Sequence, residues 1–217
     1  MFNLGGLIAG SIISVQLSLF LKSPWAIALY PGILSMRGVI NGVFSGRLST
    51  GLHIGTINPS FKDNTDEFKE LWLALIVLTL ISSLLMSVTV FTLTSLLIEF
   101  NVVYAFNAVM VSTATMCLSL AIGSPLTVAV SIFSFKSGLD PDFIVYPVMS
   151  TTMDVVITLL YFLILRVFSI FKAFLAVLDL SFALVVIAII VLNRRKPVFK
   201  STISCLLYTS PSPRDRG

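Results

Sequence analysis

Apolar residues fall into six long runs, and the polar residues gather between them. The runs cover residues 2–21, 25–45, 71–98, 104–135, 143–165 and 173–192. A helix needs about 20 mainly apolar residues to cross the hydrocarbon core of a bilayer, so each run predicts a membrane span. The first stops at Lys22-Ser23-Pro24 and the sixth at Asn193-Arg194-Arg195-Lys196. Run 2–21 has no basic leader and no small-residue cleavage site, which makes it a span rather than a signal peptide. The pattern predicts an all-α, polytopic transmembrane helix bundle. No repeat of fixed period shows, although an inverted structural repeat leaves little trace in sequence.

Composition decides between a membrane bundle and a large buried core. Apolar residues make up 57% of the 217, charged residues 11%, and the mean hydropathy is +1.02. Soluble domains carry about 25% charged residues, so this chain has too little polar sequence to wrap six apolar helices. Soluble enzymes, nucleic-acid-binding domains and disordered linkers are excluded together. The net charge of +4 comes from one end: from Asn193 onward there are six basic residues against one acid. The rest carries eight basic and nine acidic residues, which gives no basic footprint for nucleic acid. Cys117 and Cys205 supply neither a disulfide framework nor a zinc site.

Basic residues in short connections set orientation. The N-terminal side receives Arg47, Lys62, Lys69, Lys136 and the cluster at 194–200; the other side receives Lys22, Arg166 and Lys172. Eight against three, or four against three without the tail, puts the N-terminus in the cytoplasm. The plasma membrane is the expected location. Residues 201–217 shift abruptly into Ser/Pro/Arg composition and read as a non-native or disordered tail.

Small residues let helices approach closely in lipid. Gly6, Gly10, Ser14 and Ser18 form such a stripe on the first span, and Thr115, Ser119 and Gly123 on the fourth; packing is the simpler account of both. On the second span Gly38, Gly42 and Gly46 are accompanied by Arg37, Asn41, Ser45, Arg47, Ser49 and Thr50. Those polar groups are costly against lipid and call for an inward face.

Asp154 is the most informative residue. With the fifth helix beginning near Asp142, it lies about 18 Å along the axis, close to the bilayer midplane. A carboxylate there costs about 2.5–3.5 kcal/mol on translocon scales. Pro147, Ser150, Asp154, Thr158 and Tyr161 follow steps of three and four, with Thr151 beside them. The stripe offers oxygen and nothing soft, the donor set of hard cations such as magnesium, calcium or manganese. Two structural alternatives remain: a protonated Asp154 bonded to Ser or Thr of another helix, and a pair with Arg37.

The remaining acids carry less. Asp179 lies within a turn or two of the outer interface, Glu99 ends the third span, and Asp63, Asp66, Glu67 and Glu70 form a solvated helix start. Asp140 and Asp142 read equally as a pore mouth that concentrates cations and as a helix N-terminus capped by Asp142. His53 sits in the connection after the second span, too far from Asp154 for a hydrolase triad. No Walker loop occurs, so neither catalysis nor ATP-driven pumping is expected, and no resident cofactor.

Two segments carry a resemblance. Pro31-Gly32-Ile33-Leu34-Ser35-Met36-Arg37-Gly38 with Ser45-Gly46-Arg47-Leu48-Ser49-Thr50-Gly51-Leu52-His53-Ile54-Gly55 is similar to the second membrane helix of MgtE-type magnesium transporters. The archaeal branch and solute carrier family 41 are closer than the bacterial channels. Gly138-Leu139-Asp140-Pro141-Asp142, Pro147 and Ser150-Thr151-Thr152-Met153-Asp154 resemble the start of that family's fifth helix and its pore aspartate. The resemblance implies a five-helix unit over 1–168 and a two-fold assembly, as a homodimer or with a second such unit. The ion path would run between the second and fifth helices, with Mg2+ as cargo. It makes Asp154 the metal ligand, Ser150 a further oxygen, and Gly38 and Asn41 the facing wall; Thr151, Thr158 and Ser45 join them from the stripes above. The bacterial Gly-Asn-x-Gly run is replaced by Gly38-Val39-Ile40-Asn41-Gly42, and the bacterial cytoplasmic sensor domains have no counterpart here. The sixth span, in 169–200, matches a helix connecting to a second unit, which suggests the N-terminal half of a longer transporter. Other functions fit the same residues: a proton- or sodium-coupled carrier using Asp154, or a non-transporting membrane scaffold whose polar stripe holds a partner helix.

Overall fold

A computed structural model describes residues 4–15, 23–61, 64–97, 101–139 and 141–193. Among these the chain is six helices without strands: α1 Leu4–Val15, α2 Pro24–Ile54, α3 Asp66–Leu97, α4 Val102–Lys136, α5 Pro141–Ile170 and α6 Lys172–Asn193. Helices α2 to α6 are each long and apolar enough to span a bilayer. The described part of α1 has 12 residues, about 18 Å of helix, and the rest of run 2–21 lies outside the described residues.

Helix ends follow local chemistry. Pro24 starts α2, where its missing N–H costs nothing. Gly55 ends it in the left-handed region at φ +82°, its N–H on the Gly51 carbonyl at 3.0 Å. Asn101 caps α4 through its side chain, which accepts from the Val103 N–H at 3.0 Å. Asp66 and Glu67 in the first turn of α3 complement the helix dipole. A single residue, Phe171, separates α5 from α6.

Helix α4 is the hub, packed against α2, α3, α5 and α6, while α2 packs against α3, α4 and α5, α1 lies on α5, and α6 also meets α3 and α5. Helix α2 runs antiparallel to α5. Trp25 meets Phe168 edge-on at 5.8 Å, Tyr161 donates to the Ala26 carbonyl at 2.7 Å, and Tyr30 bonds Thr158 at 2.7 Å. Between α3 and α4 serines do the joining: Ser87 with Ser112 at 2.7 Å, and Ser83 with Thr113 at 3.2 Å. Such interhelical bonds and close backbone approach are what hold helices together where burial from lipid gives no drive. Most of α6 remains exposed, with Leu175, Val186 and Asn193 buried.

Three sequence expectations need correction. The second helix does not end near Ser45 but continues to Ile54, because Leu48 and Leu52 carry its buried face past Ser45 against propensity, and only Gly55 stops it. His53 is therefore in the last turn of α2, its ring edge-on to Phe135 at 5.5 Å, and not in a connection. Helix α5 begins at Pro141, which puts Asp142 inside the first turn instead of at the N-cap. Asp140, Asp63, Glu99, Ser18 and Lys62 lie outside the described residues, as does the side chain of Asp142.

Candidate functional site

A pocket of about 40 Å³ opens between α2 and α5 near the middle of both helices. Its α2 wall is Leu34, Arg37, Gly38 and Asn41; its α5 wall includes Ser150 and Asp154. That volume holds little more than one water-sized body, since a water occupies about 30 Å³ of liquid. Asp154 lies about 20 Å from the start of α5, roughly half-way along a 30-residue helix.

Each wall group has a structural reason for its position. Asn41 is buried, and its side-chain oxygen accepts from Thr127 on α4 at 2.8 Å, which leaves that oxygen one lone pair for another partner. Gly38 is exposed, and a Cβ added there would meet nothing within 4 Å, so this stretch of α2 presents bare backbone to open space. Arg37 is 1% exposed and donates from Nη2 to the Ser119 carbonyl at 3.2 Å. The pairing of Arg37 with Asp154 weighed from the sequence is not what the structure shows: the guanidinium turns to α4. Space for it comes from Gly123, where a Cβ would stand 2.5 Å from Nη2 and 2.6 Å from the Met153 methyl. The stripe Thr115, Ser119 and Gly123 is buried and serves this packing.

The other candidates stand apart from the pocket. Thr158 is fully buried and tied to Tyr30 and to the Asp154 carbonyl at 2.6 Å. Thr151 is exposed and bonds the Pro147 carbonyl at 2.8 Å. Ser45, buried one turn beyond Asn41, donates to the Gly42 carbonyl at 3.1 Å. The polar stripe of α5 thus divides: Ser150 and Asp154 face the pocket, whereas Thr158 and Tyr161 fasten α5 to α2.

Sequence reasoning missed Tyr30, whose hydroxyl fixes the turn of α5 after Asp154, and the thioethers of Met149 and Met153, which line the pocket on α5. Met153 lies three residues after Ser150, and Met149 four residues before Met153, so helical spacing was the available signal. Their sulfurs are soft and suit a wall better than a hard-cation ligand. Among the described residues no three or more His, Cys, Asp or Glu side chains come together.

Comparison with known families gives one match: residues 30–164, from Tyr30 in α2 to Ile164 in α5, match MgtE, a divalent cation transporter. The match covers more than half of the 217 residues. The chain belongs to the MgtE divalent cation transporter family. No curated protein and no solved structure matches it. The matched stretch holds both walls of the pocket, and this MgtE chain is a multi-pass membrane protein with five helices of spanning length. The family is one of transporters, not of enzymes. Among the described residues, one carboxylate, that of Asp154, lines the pocket, with Ser150, Asn41 and the backbone at Gly38 as the neutral oxygens nearby.

Proposed function

We propose that this MgtE chain carries Mg2+ across the plasma membrane along a path between α2 and α5, completed by a second unit. The observation that supports this most is the meeting of Asp154, Ser150 and Asn41 in one pocket near mid-helix. Oxygen ligands suit a hard divalent ion, and magnesium keeps several waters, so few protein ligands are needed per unit. A second copy, or a second unit of the same kind, would bring a matching carboxylate and double the countercharge. The exposed backbone at Gly38 gives such a partner a close approach along α2.

In this reading the N-terminus is cytoplasmic and lipid is the surrounding partner. No resident cofactor, catalytic step or nucleic acid takes part; Mg2+ is cargo. Thr151, on the exposed side of α5, would face the paired unit, and Asp140 and Asp142 would form a cytoplasmic mouth. Thr158 and Ser45 would hold the helices that line the path.

The decisive experiment is Mg2+ uptake into vesicles carrying the full chain, with Asp154→Asn beside the parent. The carboxamide is nearly isosteric and lacks the charge, so uptake should vanish while insertion and assembly persist. Uptake equal to the parent's would refute the assignment. Competition by calcium, manganese and sodium identifies the cargo: divalent uptake blocked by sodium alone would point to a sodium-coupled carrier. Loss of assembly in Asp154→Asn, with no transport in the parent, would point to a scaffold.

A further inference from the structure

We propose that the cleft between α4, α5 and α6 binds one phospholipid, with an acyl chain in the cleft and the phosphate at Lys172. The inference is independent of the ion path and rests on α6 spanning the bilayer. The cleft encloses about 260 Å³. Leu163 and Phe174 on its rim are exposed, while Ala114 and Leu175 within it are buried. Small residues hollow it out: Ala114, Cys117 and Ala121 follow steps of three and four along one face of α4. Neither α5 nor α6 fills the space they leave. Every lining side chain is apolar except the Cys117 thiol.

Water does not suit such a cleft, because an ordered water needs about 2–4 polar partners. Left empty, the cleft would forfeit the dispersion contacts of its lining. A partner helix, about 10–12 Å across with its side chains, is too wide for it. Hydrocarbon fits: the volume equals about nine bodies of water size, ~30 Å³ each, and a methylene is similar, so a good part of one acyl chain is accommodated.

One end of the cleft lies by the turn between α5 and α6, where Val167, Phe174 and Leu175 line it. Lys172 is the first residue of α6, one turn before Leu175. Its ammonium sits over the Phe168 ring at 5.3 Å, and Phe168 meets Trp25 edge-on. Tryptophan and lysine at the end of a span mark the headgroup level of a bilayer. Among the described residues no carboxylate lies within 4 Å of Lys172, so a lipid phosphate is the anion its position serves. A chain held against Leu175 then fastens α6 to α4 and α5, where the helix buries few residues of its own.

The test uses the full chain in phosphatidylcholine vesicles that carry a little phosphatidylglycerol with a photoactivatable diazirine in one acyl chain. After irradiation, peptide mass spectrometry maps the adducts. Labelling around Cys117 on α4 and Leu175 on α6 should exceed severalfold that at Leu84, Leu85 and Val88, exposed apolar residues of α3. Equal labelling would mean fluid surrounding lipid only and would overturn the proposal. Ala121→Phe fills the cleft from an exposed position, so labelling there should fall to the α3 level while helical content by circular dichroism is kept. Ala114→Val takes its place if that variant does not assemble. Undiminished labelling in an assembled variant counts against the proposal. Lys172→Glu suits the first turn of a helix, which keeps α6 folded, yet it repels phosphate. It should cut phospholipid labelling of the cleft by about fivefold. Labelling by a diacylglycerol with the same diazirine chain should stay unchanged. Loss of both labels, or of neither, would refute the place given to the phosphate.

Discussion

The hydroxyls of Tyr30 and Thr158 lie 2.7 Å apart across the α2–α5 interface, one helical turn from Asp154. The single Thr158 proton goes to the Asp154 carbonyl at 2.6 Å, so Tyr30 is the donor between them. Asp154 is thereby fixed in height against α2 by its own backbone, through a threonine, to a tyrosine on the facing helix.

Removing that donor measures its worth. Tyr30→Phe should lower the stability of the detergent-solubilised protein by about 0.6 kcal/mol, the mean for a hydrogen bond between membrane helices. Thr158→Val should cost at least as much, and the double variant less than the sum. Unfolding monitored by loss of helical signal against denaturant reads all three. Strict additivity would mean that the two hydroxyls do not interact.

The serine contacts between α3 and α4 predict a second coupling. Ser87 and Ser112 share a 2.7 Å bond, and Ser112 also reaches the Ser83 carbonyl at 3.3 Å. Ser87→Ala with Ser112→Ala should show a coupling of about 0.6 kcal/mol in a double-mutant cycle. Neither residue touches the pocket, so Mg2+ half-saturation should stay at the parent value.

Gly32 makes a tight approach of α2 to α3. A Cβ there would run into the Met86 methyl and fall 2.8 Å from its sulfur, both at the end of a flexible chain. Gly32→Ala should therefore cost about 1–3 kcal/mol as Met86 is pushed aside. Adding Met86→Ala opens the space, so the double variant should be more stable than the two separate losses predict. A cost unaffected by Met86→Ala would place the clash elsewhere.

Asp179 on α6 makes the opposite prediction. Both its carboxylate oxygens are buried and lack a hydrogen-bond partner, and it lies within the spanning helix. Asp179→Leu removes an uncompensated polar group and should raise stability, by less than the about 2.5–3.5 kcal/mol translocon cost of a central carboxylate, because Asp179 lies near the end of its span. Thermal unfolding and uptake should be measured together. A variant that loses stability would show that Asp179 is used, for instance by a neighbouring unit.

The spans were legible because apolar length alone specifies a helix in lipid, and charged residues at the ends mark where lipid stops. The end of α2 was not. Ser45, Arg47, Ser49 and Thr50 look like a loop beside a membrane, yet Ser45, Leu48, Ser49 and Leu52 are buried in the bundle, so the helix goes on until Gly55 ends it. The start of α5 was displaced for a related reason: Pro141 suits the first helical position, so Asp142 is already inside. The candidate site was half legible. Asp154, Ser150, Asn41 and Gly38 meet at one pocket, whereas Thr158, on the same stripe and just as polar, is committed to Tyr30.

What the sequence determined by itself was the class of molecule and the place of its buried charge, since too few polar residues leave only a membrane bundle and a mid-span acid cannot face lipid. The tertiary structure decided which neighbours each polar group meets. A helical stripe specifies direction from one axis but not the distance or identity of what lies opposite. Whether Arg37 turns to Asp154 or to Ser119 depends on the space that Gly123 leaves on a third helix, more than 80 residues further along the chain.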